Sequence, residues 1–428
     1  MRRVLAAFGL IAVVAPGCGV ANAPDRSRLP EIRPDSVVPL AATSGQHRQE
    51  GRSMTTSAAG FDGWIAAFRP RALAEGITPA TFDRAFRNVR FLDDVIRRDR
   101  SQAEFTRPIW AYLDSAVSNA RIENGRAALR ENARTLAAIE DRFGVEREVV
   151  VAVWGLESSY GRLRGTTPII DAMATLAHEG RRKAFFETQL IGALRILQAG
   201  DTTPERMVGS WAGAMGHTQF IPTSYLDFAV DFTGDGRRDI WSDDPADALA
   251  SAANYLARHG WTRGQPWGME VRLPSGFDTR MAGSRQPVRD WRAAGLRAVD
   301  GGAIPDHGMA TLMFPAGARG PALLTFENFA VIKRYNNADA YAIAIGHLAD
   351  RLRGAGGFRA SWPRDDRPLS VEERKELQER LTARGFDTGG VDGRVGPLTL
   401  AAVRDFQSRA GLTPDGYVSA ELLQRLRR

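Results

Sequence analysis

The sequence predicts a mainly α fold that carries a small inserted β-sheet and ends in a separate module of three short helices. Three observations support this. Apolar residues recur at helical spacing from Phe61 to Gly144 and again over 147–160, 183–199, 245–259 and 338–353. Between Trp267 and Phe329 the texture changes to short β-like runs, Met269–Leu273, Thr311–Phe314 and Leu323–Phe326, separated by Gly and Pro. A Gly/Pro-rich stretch at 354–369 then sets off residues 370–428 as a unit of their own.

Taken in order, the chain opens with Met1-Arg2-Arg3 and an apolar run from Val4 to Ala15. That run is too short to span a bilayer but suits an export signal over 1–23. The single cysteine, Cys18, follows it directly. It resembles the lipid-attachment cysteine of bacterial lipoproteins, although Ala15-Pro16-Gly17 is a poor version of the usual preceding residues. A competing cleavage point lies after Ala21-Asn22-Ala23, where Pro24 is unfavourable. On either path the mature chain has no cysteine pair, so packing must stabilise it. Residues 24–58, rich in Pro, Ser, Thr, Gln and Arg without periodicity, read as a flexible tether.

The 428 residues suffice for two or three domains, and 43% hydrophobic with 25% charged content is ordinary for globular protein. The net charge of +7 invites an anionic partner, but the basic residues are scattered and form no nucleic-acid motif. An exported basic protein meets envelope surface rather than DNA. The 6 histidines and 1 cysteine form no H-E-x-x-H or Cys–His pairing, and no G-x-S-x-G is present. Zinc-amidase and serine-hydrolase readings therefore lack their residues.

The body, 59–353, starts with helical segments around Trp64, Ile65 and Phe68, around Phe82 and Phe86, and from Ile109 to Val117, with a further helix over 127–143. The next helix is the most informative. Every residue from Val149 to Leu156 is apolar or Gly, which places it in a core, and the run ends on Glu157. Glu157 shares its face with Trp154, Val153 and Val150. Partial desolvation there raises a carboxyl pKa, the state a general acid needs at neutral pH. The structural alternative is an ion pair with Arg162 or Arg164.

Three later blocks stand out. In Ser210-Trp211-Ala212-Gly213-Ala214-Met215-Gly216-His217-Thr218-Gln219-Phe220-Ile221-Pro222, the small residues permit close approach of a backbone or ligand. Ser210 and Gln219 suit hydroxyl and acetamido groups; a tight helix–loop–helix crossing is the structural alternative. The loop Asp231-Phe232-Thr233-Gly234-Asp235-Gly236-Arg237-Arg238-Asp239 has the oxygen spacing of an EF-hand loop, with Asp247 beyond it. It would offer Asp231, Thr233, Asp235 and Asp239 to a structural calcium ion, with Ser242 where the bidentate Glu of such a loop is expected, or stay empty as a set of Asx turns. Val331-Ile332-Lys333-Arg334-Tyr335-Asn336-Asn337 precedes the helix that holds Tyr341 and alone reads as a polar turn. In the terminal module, Ser370-Val371-Glu372-Glu373 matches a capping box before a helix with Leu377 and Leu381. Pro397 opens a second helix, and Leu422, Leu423 and Leu426 mark a third.

V-A-V-W-G-L-E-S-S-Y-G, then S-W-A-G-A-M-G-H-T-Q-F-I-P-T-S-Y, then R-Y-N-N-A-D-A-Y resemble, in order, motifs of the bacterial lytic transglycosylase B family. The likeness runs from about Phe61 to Leu352. It implies a lysozyme-like α+β catalytic domain acting on peptidoglycan, with Glu157 catalytic and Ser210, Gln219, Tyr335, Asn336 and, through A-N-Y-L, Tyr255 at the sugar site. His217 and Thr218 carry no role in it. Relatives that bind a cation in the Asp231 loop imply Asp247 as its last ligand. L-Q-x-x-L-x-x-x-G-F, V-D-G-x-x-G-P-x-T and A-V-x-x-F-Q, at Leu377, Asp392, Gly396 and Phe406, resemble a peptidoglycan-binding domain.

The resemblance implies cleavage of the MurNAc–GlcNAc β-1,4 bond with formation of a 1,6-anhydro ring, one Glu serving as acid and then base, and no required cofactor. A lysozyme-type hydrolase and a noncatalytic wall-binding scaffold are the alternatives. The expected partners are peptidoglycan glycan strands and, if Cys18 is modified, the outer membrane through a lipid anchor, with no nucleic acid. The expected location is the periplasm, as an outer-membrane lipoprotein.

Overall fold

The computed structural model describes residues 58, 60–100 and 107–428. Cys18, the export signal and nearly all of the tether lie outside the described residues. From Phe61 onward, helices dominate, and the Arg147–Ser158 helix runs through their centre. Its valines have poor helix propensity, so tertiary burial has to hold it. Every residue from Val149 to Leu156 is buried, as an all-round apolar helix requires. It packs against the helices Asp339–Leu352, Asn119–Glu131 and Ala246–Arg258.

Several expected helices form close to the predicted bounds: Lys183–Ala199, Ala246–Arg258 and Asp339–Leu352. The segment expected as one helix over 127–143 is instead two, Asn119–Glu131 and Ala133–Phe143. Asn132 breaks it: its side-chain amide donates back to Ala128 O at 3.0 Å, competing with the backbone ladder. The Ile169–Glu179 helix was not predicted. Residues Ile169 to Ala177 are all buried, yet Asp171, Thr175 and His178 recur at i, i+4 and i+7, a helical period that the sequence reading passes over.

Strand β1 (Thr167–Pro168) pairs antiparallel with β2 (Val208–Gly209), joining the exit of the central helix to Ser210. The inserted sheet comprises β3 (Gly268–Arg272), β4 (Arg285–Pro287), β5 (Arg297–Ala298), β6 (Met309–Met313) and β7 (Ala322–Thr325). Its order is β4-β6-β7-β3-β5, all antiparallel. The three predicted runs are β3, β6 and β7. The unpredicted β4 and β5 are short edge strands carrying Arg and Pro, which blunt an edge and erase alternation. Val288, Trp291, Leu312 and Leu324 form a separate core beneath the sheet.

In the terminal module, the Val371–Ala383 helix begins with the expected capping box of Ser370 and Glu373. The helices Pro397–Arg409 and Ala420–Arg427 complete it around Leu377, Leu381, Val403 and Leu423. Two matching clasps hold its loops. Gln378 Oε1 accepts from Gly393 N–H at 2.8 Å while its amide donates to Asp392. Gln407 Oε1 accepts from Gly416 N–H at 2.8 Å while its amide donates to Asp415. The Gln and Asp-Gly of the module's signature are thus structural.

The expected linker, 354–369, is bound to the body. Glu270 accepts from Arg359 and Ala360 N–H at 2.8 and 2.7 Å, and Phe358 and Trp362 pack on the main core. His347 stacks on Phe358 with ring centroids 4.3 Å apart. Burial, with Arg351 adding, pushes the imidazole down to about 4. An unfolded histidine titrates near 6.5, so below that pH the unfolded chain takes up a proton that the fold refuses until about pH 4. The contribution is absent above pH 6.5 and destabilises as pH falls, by about 3 kcal/mol at pH 4. His347→Leu should lose that part of the acid sensitivity in urea midpoints taken at pH 7 and pH 4.5. An unchanged pH dependence would refute the assignment.

Candidate active site

Glu157 lies half-buried on the last turn of the central helix. The Tyr341 hydroxyl, in the first turn of the Asp339–Leu352 helix, donates to Glu157 Oε1 at 2.6 Å. The arginines weighed as ion-pair partners are engaged elsewhere. Arg162 donates to Ser159 O, and Arg164 donates to Trp241 O, Ser242 O and Asp243 at 2.7–2.8 Å.

The chain leaves the helix through Ser159 and Tyr160, at φ 51° and 61°. Among the described residues only one further non-glycine has positive φ, Gln219 at 53°. Left-handed backbone at such residues is unfavourable and collects at functional sites. All three belong to the two motif blocks.

The second block folds as a tight hairpin. Met215 and Phe220 exchange N–H···O bonds of 2.9 and 3.1 Å. The hairpin docks on the helix exit. Ser158 Oγ donates to His217 O at 2.6 Å, and Gln219 donates to Arg164 O at 3.2 Å and Gly216 O at 2.8 Å. Trp154 Nε1 donates to His217 Nδ1 at 3.1 Å, which leaves the ring proton on Nε2 facing Ser242 O at 2.7 Å. Burial, with Arg164 adding, lowers the His217 pKa and keeps this neutral tautomer. Ser210 Oγ accepts from Ala214 N–H at 3.0 Å, leaving its hydroxyl proton to be donated.

The structure therefore joins Glu157, Ser210 and Gln219 through one connected framework. The remaining expected sugar-site residues sit differently. Tyr335 is buried and its hydroxyl donates to Thr218 O at 2.7 Å; Tyr255 donates to Arg334 O. Their rings pack together, 4.8 Å apart, behind Phe220. This geometry makes them braces for the hairpin rather than surfaces open to a sugar. Asn336 Oδ1 accepts from Ala338 N–H at 3.1 Å and shapes the turn before Tyr341. Tyr341 and His217 were not singled out from the sequence. Tyr341 is the closing residue of R-Y-N-N-A-D-A-Y, a readable signal, whereas only the fold reveals that His217 locks the hairpin to Trp154.

In the acidic loop, carboxylate oxygens of Asp231, Asp235 and Asp247 lie within 4.8 Å of one another. Asp247 is buried and accepts from Phe232, Thr233 and Asp239 N–H at 2.9–3.0 Å, and burial raises its pKa. Asp239 is not in the cluster. It pairs with Arg206 at 3.0 Å and accepts from Trp241 and Ser242 N–H, and Thr233 Oγ1 donates to Asp231 at 3.4 Å, so of the five expected residues the converging carboxylates are those of Asp231, Asp235 and Asp247.

A family model described as a transglycosylase SLT domain matches residues 60–350, and a peptidoglycan binding domain model matches 370–426. The chain is 33% identical over 277 residues to the membrane-bound lytic murein transglycosylase B of Escherichia coli, covering 61% of this chain and 74% of that protein. Its fold is similar to that of SltB3 from Pseudomonas aeruginosa in complex with NAG-anhNAM-pentapeptide, with 51% identity, a TM-score of 0.84, and coverage of 86% of this chain and 99% of the other. It is also similar to the Escherichia coli lytic transglycosylase Slt35 in complex with calcium, at 29% identity and a TM-score of 0.57, covering 69% and 93% of the two chains. The motifs, the domain order and these matches agree, and the chain belongs to the SLT-domain lytic transglycosylases, with a peptidoglycan binding domain at its C-terminal end.

Proposed function

We propose that this lytic transglycosylase cleaves the MurNAc–GlcNAc β-1,4 bond of peptidoglycan with Glu157 as its single acid and base. The carrying observation is the Glu157 carboxyl at the end of a buried helix, oriented by the Tyr341 hydroxyl at 2.6 Å. Protonated Glu157 gives its proton to the bridging oxygen as the bond to the muramic C1 breaks. The positive charge at C1 is shared by the substrate's own acetamido group, toward which Ser210 can donate. The resulting carboxylate, stabilised by the Tyr341 O–H, takes the proton from the same sugar's 6-hydroxyl as O6 bonds to C1. The proton returns to Glu157 and no water is consumed. Digestion of purified sacculi followed by mass measurement tests this. Products should end in anhydro sugars, one water lighter than hydrolysis products; reducing muramic ends as the main product would favour a lysozyme-type hydrolase.

Asp231, Asp235 and Asp247 are the residues that would hold a calcium ion, and a converging set of three carboxylates fits a hard cation. Such an ion would tie the 231–239 loop to the Ala246–Arg258 helix. Calcium is expected to raise the melting temperature relative to chelator, and Asp247→Asn to remove the rise. No calcium-dependent shift in wild-type protein would reject the site.

The site of action is the periplasm or cell wall, where peptidoglycan lies. No helix among the described residues is long and apolar enough to cross a membrane. The apolar run before Cys18 supports a lipid anchor at that cysteine. Cys18→Ala should then abolish incorporation of labelled fatty acid, and wild-type protein that starts at Pro24 would exclude the anchor.

A further inference from the structure

A cleft of about 680 Å³ separates the inserted sheet from the terminal module. Its size suits a small flexible ligand rather than a passive gap. The 317–319 loop beside the sheet contacts both the terminal module, through Asp415, and the linker, through Asp365. Ala318 N–H donates to Asp415 at 2.8 Å, and Arg319 pairs with Asp365 at 2.7 Å. A Cβ on Gly317 would lie 2.8 Å from Asp415 Oδ2 and 2.9 Å from Tyr417 Cβ, so the glycine lets the module seat on this loop.

Most charges lining the cleft are matched. Arg285 pairs with Glu327, Lys333 with Asp339 at 2.7 Å, and Asp415 accepts from Gln407, Ala318 and Tyr417. Arg404 is the exception. Its Nε is buried with no hydrogen-bond partner, and no ion pair to it forms among the described residues. The side chain passes against Gly416, whose Cβ would meet Nε at 3.0 Å, and reaches toward Gly283 across the cleft. Gly416 covers the Nε, so the Nη edge of this guanidinium, which extends toward Gly283, is the part set to take a carboxylate in the partly apolar cleft.

We infer that this cleft binds the peptide stem of peptidoglycan, with Arg404 receiving a stem carboxylate. The stem combines carboxylates with short aliphatic side chains, matching one unpaired cation among Met309, Met313, Phe314 and Val418. The cleft also reaches Ala340, the neighbour of Tyr341 that donates to Glu157. A stem held here would belong to a strand that passes the catalytic carboxyl. The inference rests on the reading that the chain acts on peptidoglycan.

The test uses the full chain, as wild type, Arg404→Gln and Arg404→Lys, with melting temperatures confirming the fold of each. Calorimetry with the sugar-free pentapeptide stem should show saturable binding that Arg404→Gln weakens about tenfold or more, the scale of a charged hydrogen bond. Arg404→Lys should retain most of it. On glycan strands, Arg404→Gln should raise KM for peptide-bearing strands and erase their advantage over strands stripped of peptide. No saturable stem binding by wild type, or binding unchanged in Arg404→Gln, overturns the inference whether or not the enzyme turns over. Wild-type protein that binds the stem but cleaves neither kind of strand would instead sink the transglycosylase reading.

Discussion

Glu157→Gln should abolish turnover while leaving the fold intact. The amide is nearly isosteric, and its oxygen can still accept from the Tyr341 hydroxyl that now meets Oε1 at 2.6 Å. What it lacks is a proton to give. General acid–base steps are typically worth about 10²–10⁴-fold each. In the proposed mechanism one residue serves both steps, so kcat should fall by at least about 10³-fold. The variant's melting temperature should match wild type, because no backbone bond or packing contact of the central helix is removed. Sugar binding should survive, measurable with a disaccharide-peptide fragment. Near-normal turnover by a verified variant would reject the catalytic assignment.

The central helix was legible because its chemistry is extreme. Eight apolar or Gly residues ending in one carboxylate admit few environments, and the structure buries that run as expected. The capping box at Ser370 was legible for a similar reason, since its two hydrogen bonds are local in sequence. The Ile169–Glu179 helix carries a periodic signal too, Asp171, Thr175 and His178 at i, i+4 and i+7, but Asp171 and Thr175 are sunk in the fold with their apolar neighbours instead of marking a solvent face. Edge strands β4 and β5 were hidden by their shortness and by Arg and Pro.

The same division runs through the site. Motif order placed Glu157, Ser210 and Gln219, but residue type alone could not separate a residue that meets substrate from one that braces it. The family resemblance puts Tyr335 and Tyr255 at the sugar site, yet each spends its hydroxyl on a backbone carbonyl, of Thr218 and Arg334. Asp239 has the spacing of a cation ligand, but Arg206 and two backbone amides take its oxygens. Such outcomes depend on which distant groups arrive, and spacing does not encode that.

Gly216→Ala should be the most disruptive single-methyl change in the hairpin. Gly216 has φ +66°, where an L side chain is strained, and an added Cβ would lie 2.2 Å from Ile240 O. The obstacle is backbone, so no side-chain rotation relieves it. That same carbonyl accepts the His217 N–H at 3.1 Å, so pushing it away also breaks the tie between the hairpin and the 240–242 segment. With it go the supports of His217 Nε2 at Ser242 O and of Arg164. Strain and clash together should destabilise by roughly 3–5 kcal/mol. Gly200→Ala is the control. It has φ +82° at a helix end with nothing within 4 Å of the added Cβ, so it carries strain without clash and should cost only about 1 kcal/mol. Urea midpoints of the two variants separate the terms. Equal losses would mean that backbone conformation alone explains the glycine. A much larger loss at Gly216, with turnover falling further than the folded fraction, would show that the close approach to Ile240 holds the hairpin against the helix that carries Glu157.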